Sequence, residues 1–323
     1  MAPRPVVQER TDVSCEARTL YALASTMLWP VMSYFPLNQW TIPLFRLLET
    51  AAVFRPAPAW SRTEPVRLDG FDAEWVYADG VADDGVVLYF HGGAFLFCGP
   101  ATHRPAVACM SRASGMPFLS VAYRQLPEVP VTGSIADCLT AYRYLLTQGY
   151  SPEQIVFAGD SAGGYLSFAT ALQAVAEGLP APAAIVAISP WLDLDCEAKL
   201  AHPNRRRDAY APVKRLEPLV HMLTDGVVPL DPLLSPVNHD LSVLPPSLLI
   251  AAEPEMLRCD SELMAQRLAA AGVPVTLQLW DGQLHAFPIM VGAVPEAKQA
   301  ILEVGSFVRR MVDAAATPVA KAS

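Results

Sequence analysis

The residues that could do chemistry begin with a serine in the motif G-D-S-A-G, over residues 159–163. The motif follows an apolar run predicted as a strand (154–160) and precedes a predicted helix (162–177). Glycines two residues to either side of Ser161 let strand and helix approach without Cβ clashes. The hydroxyl then stands at the carboxyl edge of a sheet, beside a helix N-terminus that favours developing negative charge. The spacing predicts a nucleophile at Ser161, and a purely structural turn is the alternative.

A serine nucleophile needs a base, and the chain has histidines at positions 91, 103, 202, 221, 239 and 285. Only His285 follows the last predicted strand (275–280) through an Asp-Gly turn. The loop of His285 returns to the sheet edge that carries Ser161. His285 also comes last in the chain, as the order serine, acid, histidine of this fold requires. His285 is therefore the predicted base, whereas an isolated histidine is usually a surface or core residue.

The acid that orients such a histidine should follow the predicted strand 247–253. Three carboxylates are candidates: Glu253, Glu255 and Asp260. Glu253 still lies at the strand end, and Asp260 suits the N-cap of the predicted helix 260–272. Glu255 lies in the loop between them and is the predicted acid, with Asp260 as the alternative.

Attack by a serine on an ester produces an oxyanion, which needs N–H donors fixed about 2.7–3.1 Å away. One donor would be the amide of the residue after Ser161, and the others should come from the loop after an earlier strand. The motif H-G-G-A-F (91–95) follows the predicted strand 86–90. We expect His91 to anchor this loop by hydrogen bonds and not to act as a base. The predicted donors are the amides of Gly92, Gly93, Ala94 and Ala162.

The elements that must position these residues are short apolar runs alternating with helical patterns, typical of a mostly parallel sheet with right-handed crossovers. Strands are predicted at 65–69, 73–78, 86–90, 117–123, 154–160, 183–189, 247–253 and 275–280, and helices near 134–148, 162–177, 260–272 and 295–313. Residues 195–240 interrupt the alternation with proline, histidine and charged residues and are interpreted as an insertion over the strand ends. We expect a single α/β domain over residues 1–323.

Composition excludes several classes of function. Apolar residues make up 52% of the 323 residues, enough for a sizeable core, and a formal net charge of −9 argues against nucleic-acid binding. Six cysteines are scattered without a CxxC pair, and no His/Cys spacing suits zinc. They are typical of reduced thiols, so the predicted location is cytoplasmic, with membrane or envelope association left open. No metal or organic cofactor is expected.

The segment 19–45 is apolar, and no charged residue lies between Arg18 and Arg46. Pro30 and Pro36 interrupt it, and no cleavage site of a signal peptide follows a basic start. We expect helices packed on the main domain, with a peripheral membrane contact or a spanning helix as alternatives.

Together these residues resemble the hormone-sensitive-lipase-like family of α/β-hydrolases, which includes many bacterial esterases. The family's H-G-G-G-F/W is similar to residues 91–95, with Ala94 in place of the third glycine, and G-D-S-A-G-G matches 159–164 in full. Y-R-Q-L-P-E (123–128) is similar to the family's Y-R-L-A-P-E, and Asp137 and S-P-W-L-D-L (189–194) also look familial. The family's D-P-L-x-D acid motif is similar to residues 255–260, with glutamate at the acid position.

The resemblance implies an α/β-hydrolase fold with a helical cap formed by about 1–50 and about 195–225. The aromatic-rich run 29–45 would line an acyl pocket. The expected activity is a serine carboxylesterase or lipase acting on short- to medium-chain esters through an acyl-enzyme. A binding protein on the same fold, an amide hydrolase and a true lipase remain as alternatives, and a homodimer is left open.

Overall fold

A computed structural model describes residues 4–36, 41–53 and 57–316, and within these residues nine strands form one sheet. The strands are β1 (Val6–Arg10), β2 (Ser61–Arg67), β3 (Asp72–Ala78), β4 (Val86–Phe90), β5 (Phe118–Ala122), β6 (Ile155–Asp160), β7 (Ala184–Ile188), β8 (Ser247–Ala252) and β9 (Val275–Trp280). Their order is β1-β9-β8-β7-β6-β4-β5-β3-β2. Only β2–β3 and β3–β5 pair antiparallel, so the predicted mostly parallel sheet is confirmed.

The edge strand β1 was not predicted. It pairs in parallel with β9, with Val6 opposite Thr276 and Arg10 opposite Trp280. Its side chains are exposed or half-buried, so it lacks the continuous apolar run that marks the central strands. Residues 6–10 therefore belong to the sheet, and the predicted cap of about 1–50 is wrong for this part.

Ten α-helices lie within the described residues: α1 (Cys15–Leu23), α2 (Trp29–Tyr34), α3 (Ile42–Val53), α4 (Pro100–Ser114), α5 (Val131–Thr147), α6 (Ala162–Ala176), α7 (Glu197–Ala201), α8 (Leu216–Leu223), α9 (Arg258–Ala270) and α10 (Pro295–Ala316). A π-helical turn, Ala24–Leu28, joins α1 to α2. The four predicted helices correspond to α5, α6, α9 and α10. Helix α4 was not predicted, because Pro100 and Pro105 obscure its helical pattern.

Helices cover both faces of the sheet. Alternating residues of β4 enter opposite apolar clusters: Leu88 packs on the side of α5, α6 and α9, whereas Val87 packs on the side of α4 and α10. Loops from β4, β6, β8 and β9 consequently meet at the carboxyl edge of the parallel strands. In the described part of the chain, no helix is both long enough and apolar enough to cross a bilayer.

Candidate active site

Ser161 lies at the turn between β6 and α6 with φ 53° and ψ −117°, a conformation rarely adopted by a non-glycine residue. Its amide donates to the Ile188 carbonyl at 2.8 Å, which helps to hold the turn. A Cβ on Gly159 would lie 2.3 Å from the Gly163 carbonyl oxygen, and one on Gly163 would lie 1.8 Å from that of Phe90. The two glycines are therefore required by close backbone approach, as the motif predicted.

The loop after β9 carries His285, and the loop after β8 carries Glu255. His285 Nδ1 lies 2.6 Å from Glu255 Oε2, while Glu255 Oε1 accepts the Ala252 amide at 3.0 Å. Burial raises the pKa of Glu255. Burial alone would lower the pKa of His285, but the hydrogen bond and charge of Glu255 outweigh it, and the pKa of His285 is raised. The pair can thus hold a proton on Nδ1 and stabilise an imidazolium.

The alternative acid, Asp260, faces a different partner. It lies in the first turn of α9, whose N-cap is Leu257, so the predicted N-cap role of Asp260 is wrong. Its carboxylate is 2.7 Å from Lys199 Nζ, and both side chains are fully or almost fully buried. It also accepts the amides of Leu192 and Asp193. Asp260 therefore neutralises a buried lysine.

The third acid candidate, Glu253, forms ion pairs with Arg207 and Arg258. These pairs lie in a partly exposed region and do not include His285. Of the three carboxylates considered from the sequence, Glu255 alone meets His285.

The glycine loop after β4 presents two of the three predicted amides. Gly93 has φ 117° and Ala94 has φ 55°, so alanine here adopts the left-handed conformation that glycine prefers. Within the described residues, the amides of Gly93, Ala94 and Ala162 have no acceptor. The Gly92 amide instead donates to Asp160 Oδ1 at 3.0 Å, so its predicted role as an oxyanion donor is wrong.

Asp160, the residue before Ser161, is a buried carboxylate with several partners that the sequence did not single out. Besides the Gly92 amide it accepts the Tyr89 hydroxyl at 2.7 Å, and its carboxylate lies 3.3 Å from His103 Nε2. Burial alone would raise the pKa of Asp160, but the charge and hydrogen bond of His103 lower it. His103 lies on α4, 57 residues from Asp160. Nothing in its local sequence reveals this pairing.

His91 packs inside the same loop. Its ring stacks on Tyr123 with centroids 4.4 Å apart, and Nδ1 lies 2.7 Å from the Gly92 carbonyl oxygen. Burial, together with the charge of His103, lowers the pKa of His91 to about 3. A neutral, stacked imidazole of this kind can anchor a loop.

A cavity of about 320 Å³ opens on these groups. Ser161 and His285 line it together with Gly93 and Ala94, and no described residue hydrogen-bonds the Ser161 hydroxyl. Further lining comes from the N-terminal segment through Met32 and Phe35 and from the insertion through Tyr210, Arg215, Leu216 and Leu219. Trp191, after β7, and Met290, after β9, complete this part of the lining. Of the run 29–45 that was expected to line an acyl pocket, residues 37–40 lie outside the described residues. Across the described ranges, no three His, Cys, Asp or Glu side chains are grouped as a metal site.

The chain is similar to known proteins over most of its length. The family profile of the alpha/beta hydrolase fold matches residues 87–289. The carboxylesterase/phospholipase LipF of Mycobacterium tuberculosis is 40% identical over 320 residues, covering 94% of this chain and 84% of that protein. The esterase LipU of the same organism is 40% identical over 291 residues, covering 86% and 96%.

Among solved structures, an esterase from the bacterial hormone-sensitive lipase family superposes with a TM-score of 0.84 at 34% identity, covering 93% of this chain and 99% of that one. EstE5, soaked with p-nitrophenyl butyrate, superposes with a TM-score of 0.85 at 32% identity, covering 93% and 100%. The resemblance inferred from the motifs is thereby confirmed. The chain belongs to the α/β-hydrolase fold and, within it, to the hormone-sensitive-lipase-like family.

Proposed function

We propose that the chain is a serine carboxylesterase with Ser161 as nucleophile, His285 as base and Glu255 as the acid that orients it. One observation carries the proposal: the Ser161 hydroxyl and the His285–Glu255 pair meet at one apolar cavity with unpaired amides of the glycine loop. Relatives named carboxylesterase and esterase, at 40% identity, support the reaction type.

The reaction follows from the positions of these atoms. Ser161 Oγ attacks the ester carbonyl while His285 Nε2 accepts its proton, and Glu255 stabilises the resulting imidazolium. Amides of Gly93, Ala94 and Ala162 bind the oxyanion. The intermediate collapses to an acyl-enzyme as the imidazolium protonates the leaving alcohol. Water then attacks the acyl group by the same route and releases the acid. The hydrogen bond between Ser161 Oγ and His285 Nε2 is not formed in this structure, and we expect it to form in the substrate complex.

The proposed substrates are esters of short to medium acyl chains. A cavity of about 320 Å³ with a largely apolar lining supports this size. The proposed cap over it comprises the N-terminal helices α1–α3 and the insertion 195–225. Arg215 of the insertion bonds the N-terminal segment. Its guanidinium donates to the carbonyls of Met32, Ser33 and Phe35 at 3.2, 2.7 and 2.5 Å. Rates across p-nitrophenyl esters of increasing acyl length, with an anilide and a triglyceride emulsion, would separate esterase, amidase and lipase.

A peripheral membrane contact is proposed for the N-terminal helices. Leu23, Met27, Val31 and Tyr34 recur at spacings of three and four and are 49–74% exposed. The opposite side of the same segment lines the substrate cavity through Met32 and Phe35. Flotation with phosphatidylcholine vesicles should carry the protein upward, and Met27→Ser with Val31→Ser should abolish this. A concentration-dependent dimer, lost in the same double variant, would indicate instead that a second copy covers the stripe.

The test of the proposed function is Ser161→Ala. We expect p-nitrophenyl butyrate hydrolysis to fall by several orders of magnitude, as losses of a nucleophile do in serine hydrolases. Turnover within tenfold of the parent would contradict the proposal. A fluorophosphonate probe should label the parent at Ser161 and leave the variant unlabelled, whereas a binding protein on this fold would not react.

A further inference from the structure

The insertion holds the backbone of the loop that carries Glu255. Asn204 is 2% exposed, and its Nδ2 donates to the carbonyls of Glu253 and Glu255 at 2.6 and 3.0 Å. Asp208 is 4% exposed, and its Oδ2 accepts the amide of Met256, the residue after Glu255, at 2.9 Å. The backbone on both sides of the Glu255 side chain is therefore bonded to the insertion and not only to its own sheet.

Asp208 also holds an aromatic ring against the imidazole. Its Oδ1 accepts the amides of Tyr210 and Ala211 at 2.8 and 2.9 Å. The Tyr210 ring stacks on His285 with centroids 5.3 Å apart and an interplanar angle of 22°. One buried carboxylate thus joins the acid loop to the ring that covers the histidine.

Among the described residues, no lysine or arginine forms a salt bridge with Asp208. Burial raises the pKa of Asp208, but both of its oxygens act only as acceptors, from three amides, and these bonds together with the charge of His285 favour the ionised form. The titratable groups that interact with His285 are Glu255 from the acid loop, Asp208 from the insertion and Asp160 from the nucleophile turn. Tyr210 adds a neutral ring whose pKa is raised by burial. A negative charge at Asp208 favours the imidazolium that forms during catalysis.

The bonds from Asn204 and Asp208 to the loop of Glu255 matter more because the proposed acid is a glutamate. Glutamate has one more rotatable bond than the aspartate usual in the resembled motif, so the position of its carboxylate depends more on how its backbone is held. We propose that Asn204 and Asp208 are positioning residues that hold Glu255 and His285 in their catalytic arrangement, with Asp208 also stabilising the charged imidazole. The proposal rests on the proposed function and deepens it.

The experiment compares Asp208→Asn and Asn204→Ala with the parent. Asp195→Asn is the matched control, because Asp195 is an exposed carboxylate of the same insertion that accepts one amide, that of Glu197. Steady-state kinetics on p-nitrophenyl butyrate are measured from pH 5 to 9 and normalised to sites titrated with a fluorophosphonate. Melting temperatures monitor folding, and an NMR titration of the His285 imidazole gives its pKa without turnover.

We expect kcat to fall by about 10- to 100-fold in both variants, with KM changed less than about threefold. Only Asp208→Asn should move the acidic limb of kcat/KM and the imidazole pKa, by about one unit to lower pH, because only it removes a charge. The proposal would be overturned if Asp208→Asn left both the acidic limb of kcat/KM and the imidazole pKa where they are in the parent, whatever the kcat of this variant. A parental kcat in Asn204→Ala would also overturn the proposal. This second variant provides the test if Asp208→Asn does not fold. If the proposed function itself is wrong, the parent protein would neither hydrolyse p-nitrophenyl butyrate nor be labelled by the fluorophosphonate.

Discussion

Two buried carboxylates near the carboxyl edge of the sheet should respond to the same chemical change in opposite ways. Glu255→Gln should remove activity and leave stability nearly unchanged, whereas Asp260→Asn should remove stability and leave catalysis nearly unchanged. The reason is their partners: Glu255 bonds His285 at 2.6 Å, and Asp260 bonds Lys199 at 2.7 Å.

The catalytic loss can be worked out from the hydrogen bonds of Glu255. One oxygen accepts the Ala252 amide and the other accepts His285 Nδ1–H. Glutamine has a single oxygen, and if this satisfies Ala252, its NH₂ group faces Nδ1 and forces the proton onto Nε2. The base could then not accept a proton from Ser161, and kcat should fall by about 10³–10⁴, as in other triads that lose the acid charge.

The stability loss follows from the burial of Lys199, which is 0% exposed. Asparagine leaves its ammonium without a counter-charge, although the carbonyls of Asp193 and Asp195 still accept from it. Breaking one side of a buried pair costs about 3–5 kcal/mol in the free energy of unfolding. For a chain of this length this lowers Tm by roughly 5 °C.

The assay measures kcat/KM on p-nitrophenyl butyrate for both variants at a temperature below the lower Tm. Thermal unfolding of both variants is measured separately. A larger loss of turnover in folded Asp260→Asn than in Glu255→Gln would refute the assignment of the acid. Equal losses of stability in the two variants would refute the reasoning about Lys199.

Three further outcomes are expected. Since the pKa of His285 is raised above its ordinary value of about 6.5, kcat/KM should decline as pH falls through that raised value, and a profile flat down to pH 6 would contradict this. Gly163→Ala, whose Cβ would lie 1.8 Å from the Phe90 oxygen, should lower the free energy of unfolding by about 3 kcal/mol in urea titrations or prevent soluble expression; a parental midpoint would show that the turn is looser than described. Asp160→Asn, which weakens the anchor of the Gly92 amide, should reduce kcat by about 10- to 100-fold through the displaced oxyanion loop, and unchanged kcat would show that the loop is held without it.

Much of the site was predicted from local patterns. The turn at Ser161 was recognisable because its glycines are required by backbone contacts within a few residues and with the adjacent strand. The positions of His285 and Glu255 followed from the chain order of loops at one edge of a parallel sheet. Gly92 was placed wrongly because its partner, Asp160, is 68 residues away, and a G-G pair does not reveal which amide is already engaged.

The sequence by itself determined the alternation of strands and helices, the turn at Ser161 and the loops that carry His285 and Glu255, since these depend on short-range sterics and periodicity. Only the tertiary structure decided the edge strand β1, the His103–Asp160 pair and the bonds from Asn204 and Asp208 to the acid loop. These features join groups distant in the chain, and the partner of each polar group is selected by the packing of whole elements.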